Sequence, residues 1–176
     1  MTATEHVILV DQDDNTLGVA EKLSAHEQGL CHRAFSVFIY RKGELLLQQR
    51  AMKKYHSPGL WTNTCCSHPR PGEDILQAGE RRLQEEMGIR TELKWVGKFH
   101  YVASFENGLI ENEVDHVLVG SLKEEVFQVN DEEVQAYRWI SLEDLDREIN
   151  TFPERFTPWL KEALKIAEPP SFPLHP

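Results

Sequence analysis

A chain of 176 residues with a formal net charge of -10 is long enough for one domain with a substantial core and short for two. Its negative mean field repels nucleic acids and acidic membrane surfaces, so we expect neither as a partner, whereas a small anion would need a local basic cluster or a bound cation. No apolar run approaches the about 20 residues of a membrane-spanning helix, and residues 1–11 lack a signal-like pattern, so we expect no membrane insertion and a cytoplasmic location.

Strand patterns dominate the first half of the chain. They cover residues 5–10, 33–40 and 44–50, and Lys42-Gly43 between the last two is typical of a hairpin turn. Prolines and glycines then interrupt residues 52–71, which we predict to form a long irregular loop. Such loops in compact domains are often functional.

A helix and further strands follow this loop. Asp74 can cap a helix that runs to about Met87 and ends at Gly88. Asn107-Gly108 predicts a hairpin between strands at residues 93–105 and 109–122, and residues 134–140 have another strand pattern.

The C-terminal part is predicted to be helical and then extended. Ser141 is a hydroxyl cap for a short helix, and residues 156–167 have the pattern of a final helix that starts near Pro158. We therefore expect an α+β fold, with one domain over residues 1–168 that has a mixed β-sheet core, a central helix and C-terminal helices. Residues 169–176 are rich in proline and are expected to be a loose tail.

Two neighbouring thiols, Cys65 and Cys66, lie in the predicted loop. They cannot easily close a relaxed disulfide with each other, and an odd total of three cysteines indicates reduced thiols. In an extended backbone Cys66 and His68 point to the same side. Buried structural thiols are the commoner situation, and no second Cys/His pair at the usual spacing completes a zinc site.

Two carboxylates, Glu111 and Glu113, follow the predicted hairpin turn. Residues at i and i+2 of a strand share a face, so these charges require solvent, a retained proton or a cation between them. Together with His26, His32 and His68 they would form a mixed nitrogen and oxygen site suited to zinc, manganese or iron. Each of them also fits an ordinary surface position.

The predicted helix carries Arg81-Arg82-Leu83-Gln84-Glu85-Glu86-Met87-Gly88-Ile89. A solvated helix with surface ion pairs explains this pattern. The run also resembles the Nudix helix, in which glutamates bind the magnesium that holds a diphosphate, and the signature is matched at Glu73, Arg81, Leu83, Glu85, Glu86, Gly88 and Ile89. Two positions depart from it, because Ser67 stands at the first glycine and Arg82 at a metal-binding glutamate.

These departures make the resemblance more specific. Motifs that accompany them are Trp61-Thr62-Asn63, Cys66-Ser67-His68-Pro69, Ala25-His26, His32-Arg33-Ala34-Phe35 and Glu111-Asn112-Glu113. With them, nearly the whole chain resembles the type I isopentenyl-diphosphate delta-isomerases of the Nudix superfamily. Cys65, the serine at position 67 and the tail look individual to this chain.

The resemblance implies a Nudix-like fold and an isomerase that interconverts isopentenyl and dimethylallyl diphosphate in isoprenoid biosynthesis. Protonation of an unactivated alkene leads through a carbocation, so the site must supply an acid, a base and exclusion of water. By this resemblance Cys66 and Glu113 donate and accept protons on opposite faces of the five-carbon unit, in an order that stays open. Tyr101 would hydrogen-bond near Glu113 and tune its acidity.

The resemblance also implies metal ions and substrate contacts. A divalent ion, Mn²⁺ or Zn²⁺, would be held by His26, His32, His68, Glu111 and Glu113, and Glu86 would help to hold Mg²⁺ against the diphosphate. Contacts to this small-molecule substrate would come from Lys22, Arg50, Lys54, Arg82 and Trp159, the last over the hydrocarbon. We expect a monomer or a weak homodimer.

Two other functions are open at this point. A Nudix hydrolase of nucleoside diphosphate derivatives would have an Arg-Glu pair where this chain has Arg81-Arg82, and it would have no role for Cys66. A metal-stabilised binding module without turnover would use the histidines and Glu111 only for folding. It would leave Cys66, Glu113, Tyr101 and Glu86 unexplained.

Overall fold

The computed structural model describes residues 4–123 and 126–167. Within these ranges the elements in chain order are β1 His6–Val10, β2 Thr16–Glu21, α1 Lys22–Gln28, β3 His32–Arg41, β4 Glu44–Arg50, β5 Trp61–Thr62, β6 Cys65–Ser67, α2 Ile75–Met87, β7 Lys94–Ser104, β8 Ile110–Ser121, β9 Val134–Ser141, α3 Leu142–Thr151 and α4 Leu160–Ile166. In the same ranges no helix has the length and apolar character that a bilayer crossing requires. The expected tail, residues 169–176, lies outside the described residues.

The strands form a mixed sheet around β3. This strand pairs in parallel with β8 and antiparallel with β1, β4 and β6. The sheet continues through β9 beside β4, β7 beside β8 and β2 beside β1. The register of the parallel pair sets His32 beside Glu113, although these residues are far apart in the chain.

Both faces of the sheet are buried. Successive side chains of β3 point to opposite faces, so neighbouring residues pack in different clusters. Val37 packs in one cluster with Leu83 of α2. Phe38 faces the other way and packs with Leu145 of α3 and Leu160 of α4. The sheet therefore lies between α2 on one side and α3 with α4 on the other.

The central helix α2 begins and ends where its sequence predicts. The Asp74 side chain accepts hydrogen bonds from the backbone N–H groups of Leu76 and Gln77, at 3.1 and 3.2 Å. At the other end Gly88 has a φ of 68°, and a Cβ there would lie 2.2 Å from the carbonyl oxygen of Gln128. Glycine is required at this position by the left-handed backbone and by the close approach of a second segment.

The predicted α+β architecture is confirmed, but two segments were predicted wrongly. Residues 16–28, which had no predicted element, form β2 and α1. In β2 Leu17 and Val19 are 68% and 51% exposed, so this edge strand has no inward apolar alternation to reveal it. The segment 52–71 is not irregular throughout, because it contains β5 and β6, which pair with β4 and β3.

The last helix is shorter than predicted. It starts at Leu160, whereas the sequence pattern extends back to residue 156. Phe156 has an extended backbone and forms an isolated bridge with Trp61, and its amide donates to the carbonyl of Pro153. This tertiary contact holds residue 156 out of the helix.

Candidate active site

Three histidines and one glutamate converge from different elements. His26 comes from α1, His32 from β3, His68 from the end of β6 and Glu113 from β8, and one potential ligand atom of each lies within 4.8 Å of all the others. The Nε2 atoms of His32 and His68 lie 3.2 and 3.0 Å from Oε1 of Glu113. Imidazole nitrogens beside a carboxylate are a donor set that binds divalent transition metals.

Backbone carbonyls orient two of these rings. The Nδ1 atoms of His26 and His32 lie 2.7 and 2.8 Å from the carbonyl oxygens of Lys22 and Leu30. A carbonyl only accepts, so Nδ1 carries the hydrogen and Nε2 keeps its lone pair for the cluster. Burial also lowers the pKa of His26, and it lowers the pKa of His68 well below its usual range, which favours the neutral form of these two rings. The Glu113 carboxylate raises the pKa of His32 in spite of its burial.

A second carboxylate, Glu111, lies beside this cluster. Its Oε1 is 3.2 Å from Nε2 of His56, and its Oε2 is buried without a hydrogen-bond partner among the described residues. Burial, followed by the negative charge of Glu113, raises the pKa of Glu111. A buried carboxylate oxygen without a partner, next to a second carboxylate and imidazoles, fits a divalent cation at this position.

His56 was missed by the sequence analysis. It is 5% exposed, and it forms a further group of potential ligands with His26 and Glu111, all within 4.8 Å of one another. It lies in the segment between β4 and β5, which has no periodic pattern. Only tertiary pairing brings it to Glu111, so no local signal identified it.

Cys66 lies in a polar cage. Its Sγ is 3.0 Å from Oδ1 of Asn63 and 3.2 Å from Nε1 of Trp159. Ser36 approaches with its Oγ at 3.8 Å. Burial raises the pKa of the Cys66 thiol to about 12, so the thiol keeps its proton at neutral pH.

Asp115 is another residue that the sequence analysis missed. Its Oδ2 accepts a hydrogen bond of 2.7 Å from Oγ of Ser36, and burial raises its pKa well above the usual range. A signal for it existed, because Glu111, Glu113 and Asp115 alternate on one face of β8. Through Ser36 it is connected to the environment of Cys66.

Tyr101 does not form the expected hydrogen bond. It lies directly opposite Glu113 in the β7–β8 ladder, but its hydroxyl is buried and has no partner among the described residues. Its ring contacts Trp159 edge to face, with 6.3 Å between ring centroids. Residues opposite each other share a face, yet this pairing does not bring the Tyr101 hydroxyl into a hydrogen bond with the carboxylate.

A cleft joins these groups to several basic residues. The predicted site residues that line it are Lys22, Arg50, Lys54, Cys66, His68, Arg82, Glu86, Glu111, Glu113 and Trp159, and Ser36, His56 and Asp115 line it too. His26 and His32 are fully buried behind this wall. Tyr101 is outside the cleft lining.

The basic side chains of the cleft are held by carboxylates. Arg82 lies 2.6 Å from Oε1 of Glu86, and Lys54 pairs with Glu133 and approaches Glu86 at 3.9 Å. Lys22 pairs with a glutamate of the N-terminal segment at 2.9 Å. These cations stand on the side of the cleft that α2 borders, so an anion placed there would meet several positive charges at once.

Arg50 is almost fully buried in the cleft wall. Its guanidinium lies over the indole of Trp159, with the central carbon 5.5 Å from the ring centroid, and donates to the carbonyl of His56 at 3.1 Å. Its Nε has no partner among the described residues. A buried guanidinium with a free N–H can receive an anion.

Comparison with known proteins identifies close relatives over nearly the full length. The NUDIX domain family model matches residues 31–160. The isopentenyl-diphosphate Delta-isomerase of Photobacterium profundum is 50% identical over 171 residues, which cover 94% of this chain and 95% of that protein. The isopentenyl-diphosphate Delta-isomerase of Serratia proteamaculans is 51% identical, and the match covers 92% of this chain and 90% of that protein.

Solved structures share the fold at low sequence identity. A Deinococcus radiodurans protein superposes with a TM-score of 0.71 at 16% identity, covering 93% of this chain and all of that one. A MutT NUDIX hydrolase from Burkholderia pseudomallei has a TM-score of 0.63 at 22% identity, covering 78% of this chain and 98% of the hydrolase. At this identity the similarity shows the architecture alone.

Proposed function

The chain belongs to the isopentenyl-diphosphate Delta-isomerase family, and from this premise we propose that it interconverts isopentenyl diphosphate and dimethylallyl diphosphate in isoprenoid biosynthesis. One observation carries the proposal: Cys66 and Glu113 line the same cleft as Arg82, which replaces a metal-binding glutamate of the Nudix helix. An arginine at this position supports a diphosphate that is held rather than cleaved.

Cys66 and Glu113 are the proton-transferring residues of this reaction. In the forward direction one of them adds a proton to the terminal =CH₂ carbon, which leaves positive charge on the tertiary carbon. The other removes a proton from the CH₂ group on the far side of that carbon, and the double bond forms there. The raised pKa of Cys66 supports a thiol that holds a proton until the alkene takes it.

The indole of Trp159 stabilises this pair in two ways. Its N–H donates to Sγ of Cys66 and therefore stabilises the thiolate that remains after proton transfer. Its position in the cleft, 3% exposed, supports exclusion of the water that would trap a carbocation. Tyr101 packs against this indole and acts through it rather than through a hydrogen bond to Glu113.

Two kinds of divalent ion complete the site. We assign Mn²⁺ or Zn²⁺ to His26, His32, His68, Glu111 and Glu113, and Mg²⁺ with the diphosphate to Glu86. When bound, the first ion offsets the two glutamate charges and the second offsets the charge of the diphosphate. Lys22, Arg50, Lys54 and Arg82 orient the diphosphate, which explains how an acidic protein binds an anion.

The cell compartment and the assembly state belong to the same proposal. All three cysteines are free thiols, and a catalytic thiol requires a reducing compartment, which supports the cytoplasm. For the assembly state we propose a monomer or a weak homodimer.

Turnover in heavy water tests the proposal. The protein is incubated with isopentenyl diphosphate and Mg²⁺ in D₂O, and the product is examined by NMR for the rearranged alkene and for deuterium on carbon. Absence of both contradicts the proposal. Release of phosphate from nucleoside diphosphate derivatives would instead indicate a hydrolase, and metal binding without either reaction a binding module.

A further inference from the structure

His56 lies outside the ligand set that the family resemblance supplies, yet it points at that set. Its Nε2 lies 3.2 Å from Oε1 of Glu111, and the ring is buried. We propose that His56 is a sixth protein ligand of the ion held by His26, His32, His68, Glu111 and Glu113. This inference rests on the metal site of the proposed function and adds a residue to it.

The two ligand groups share one ion because they share one nitrogen. His26 belongs to both groups, the one with His32, His68 and Glu113 and the one with His56 and Glu111. Its Nδ1 is bonded to the carbonyl of Lys22, so Nε2, which lies 3.3 Å from the Tyr55 hydroxyl, is the nitrogen left for a metal. Two separate ions would require His26 to bridge them through both nitrogens.

Within each group, the separations between ligand atoms match those of adjacent ligands in a coordination shell. Two ligands at right angles, each about 2.1 Å from an ion, are about 3 Å apart. The nitrogen to oxygen distance is 3.2 Å for His56 and Glu111, 3.2 Å for His32 and Glu113, and 3.0 Å for His68 and Glu113. The distance from His56 to the Glu111 carboxylate therefore matches the distances from the two assigned histidine ligands to the Glu113 carboxylate.

The His56 ring is held in place by its other contacts. It stacks on Phe105 with 5.0 Å between centroids and 10° between planes, and Nδ1 lies 3.4 Å from Oγ of Ser57. Arg50 fixes the backbone by donating to the His56 carbonyl. A ligand held by its surroundings loses little conformational freedom on binding a metal.

A simple His56–Glu111 hydrogen bond leaves one atom unexplained. Oε2 of Glu111 is buried and has no partner among the described residues, so that bond alone does not satisfy the carboxylate. With His56 as a ligand the protein offers four nitrogens and two carboxylates. Six donors suit an ion that accepts octahedral coordination, such as Mn²⁺, better than Zn²⁺, which favours four.

Cobalt-loaded protein tests the assignment by counting ligands. The full chain is loaded with Co²⁺, whose unpaired electrons move the ring resonances of coordinated histidines far outside the normal proton NMR range. Wild type is expected to show four such histidines, and His56→Phe three. Phe105→Leu is the matched control, because it removes the ring beneath His56 and keeps the nitrogens, and it should retain four.

Chelator competition provides a second measurement. We expect His56→Phe to lower the Co²⁺ affinity at least about 10-fold, and Phe105→Leu to change it less than about 3-fold. Circular dichroism of the metal-free variants checks folding, and His56→Gln replaces His56→Phe if the latter does not fold.

The possible results separate the two proposals. The assignment of His56 is overturned if wild type shows three shifted histidines, or if wild type and the His56 variant show the same number. This holds even if the Co²⁺ affinity of the variant falls. A wild-type chain that binds no Co²⁺ contradicts the metal site of the proposed function itself.

Discussion

The indole Nε1 of Trp159 lies 3.2 Å from Sγ of Cys66 and 3.2 Å from Oδ1 of Asn63. Family resemblance assigns this tryptophan to the hydrocarbon, but its N–H is directed at the thiol that we propose to transfer a proton and at the amide beside it. The cysteine is therefore positioned by the C-terminal part of the chain as well as by its own loop.

Replacing the thiol removes one of the two proposed proton-transferring groups. Cys66→Ser should fold normally and lose about 10²–10⁴-fold in kcat, because a hydroxyl is a much weaker acid than a thiol. Cys31→Ser is the control, since that half-buried thiol lies outside the cleft lining. Deuterium incorporation from D₂O measures both variants. Near-native turnover by Cys66→Ser would remove the thiol from the mechanism.

Trp159→Phe separates the N–H from the aromatic ring. It keeps an aromatic surface in the cleft but removes the donor to Cys66, so kcat should fall about 10-fold while KM changes little. Trp95→Phe, at a half-exposed indole bonded to His116, should leave both constants unchanged. A native kcat in Trp159→Phe would indicate that the aromatic ring, and not the N–H, contributes to turnover.

The raised pKa of Cys66 predicts its pH dependence. The unfolded thiol loses its proton near pH 9.0 and the folded thiol near pH 12, so stability from this group is full below pH 9 and is lost as the pH rises towards 12. Alkylation by iodoacetamide, followed by mass spectrometry, should accelerate up to at least about pH 11 in the folded chain. A plateau near pH 9 would contradict the shift.

Glu111→Gln should change the two metal states in opposite directions. Without metal it replaces a buried carboxylate that lies beside Glu113 and has one oxygen without a partner among the described residues, so Tm should stay the same or rise. With Mn²⁺ it removes a ligand, so the rise in Tm on adding the ion should shrink by at least about 3 °C. Thermal unfolding with and without chelator measures both. Glu106→Gln, at an exposed turn, should keep the full rise, and equal shrinkage there would refute a ligand role for Glu111.

Gly88→Ala should destabilise the chain more than the same change at Gly72. Both glycines have left-handed φ angles, of 68° and 78°, so alanine costs about 1 kcal/mol of backbone strain at each. Only at Gly88 would the new Cβ meet a backbone oxygen, which adds at least about 2 kcal/mol. Urea unfolding compares the two, and equal losses would mean that the Gln128 segment moves away.

Local signals account for the elements that were predicted correctly. The Asp74 cap and Gly88 define α2, and Asn107-Gly108 defines the β7–β8 hairpin, because each depends on neighbouring residues. The helix α1 has only seven residues and no side-chain cap at Glu21, so little in its sequence distinguished it. β6 is a strand through its pairing with β3, which is a long-range contact.

The candidate site was likewise predictable where it depends on neighbouring residues and not where it depends on long-range contacts. Resemblance named the residues of the cleft, and the structure brings most of them together, because the motifs that carry them are continuous in sequence. The contacts of Tyr101 and His56 depend on side-chain length and on the path of loops, which no motif records. Asp115 could have been found from the period of β8, as it continues the alternation of Glu111 and Glu113.

The parallel pairing of β3 with β8 has a consequence for folding. His32 and Glu113 are separated by 81 positions, and the intervening chain must form α2 and cross to the other edge of β3 before they meet. Neither half of the protein alone contains all the proposed ligands, so metal capture would report on completed tertiary structure. The rate at which a refolding chain acquires Co²⁺ would thus measure how fast this long-range strand pairing forms.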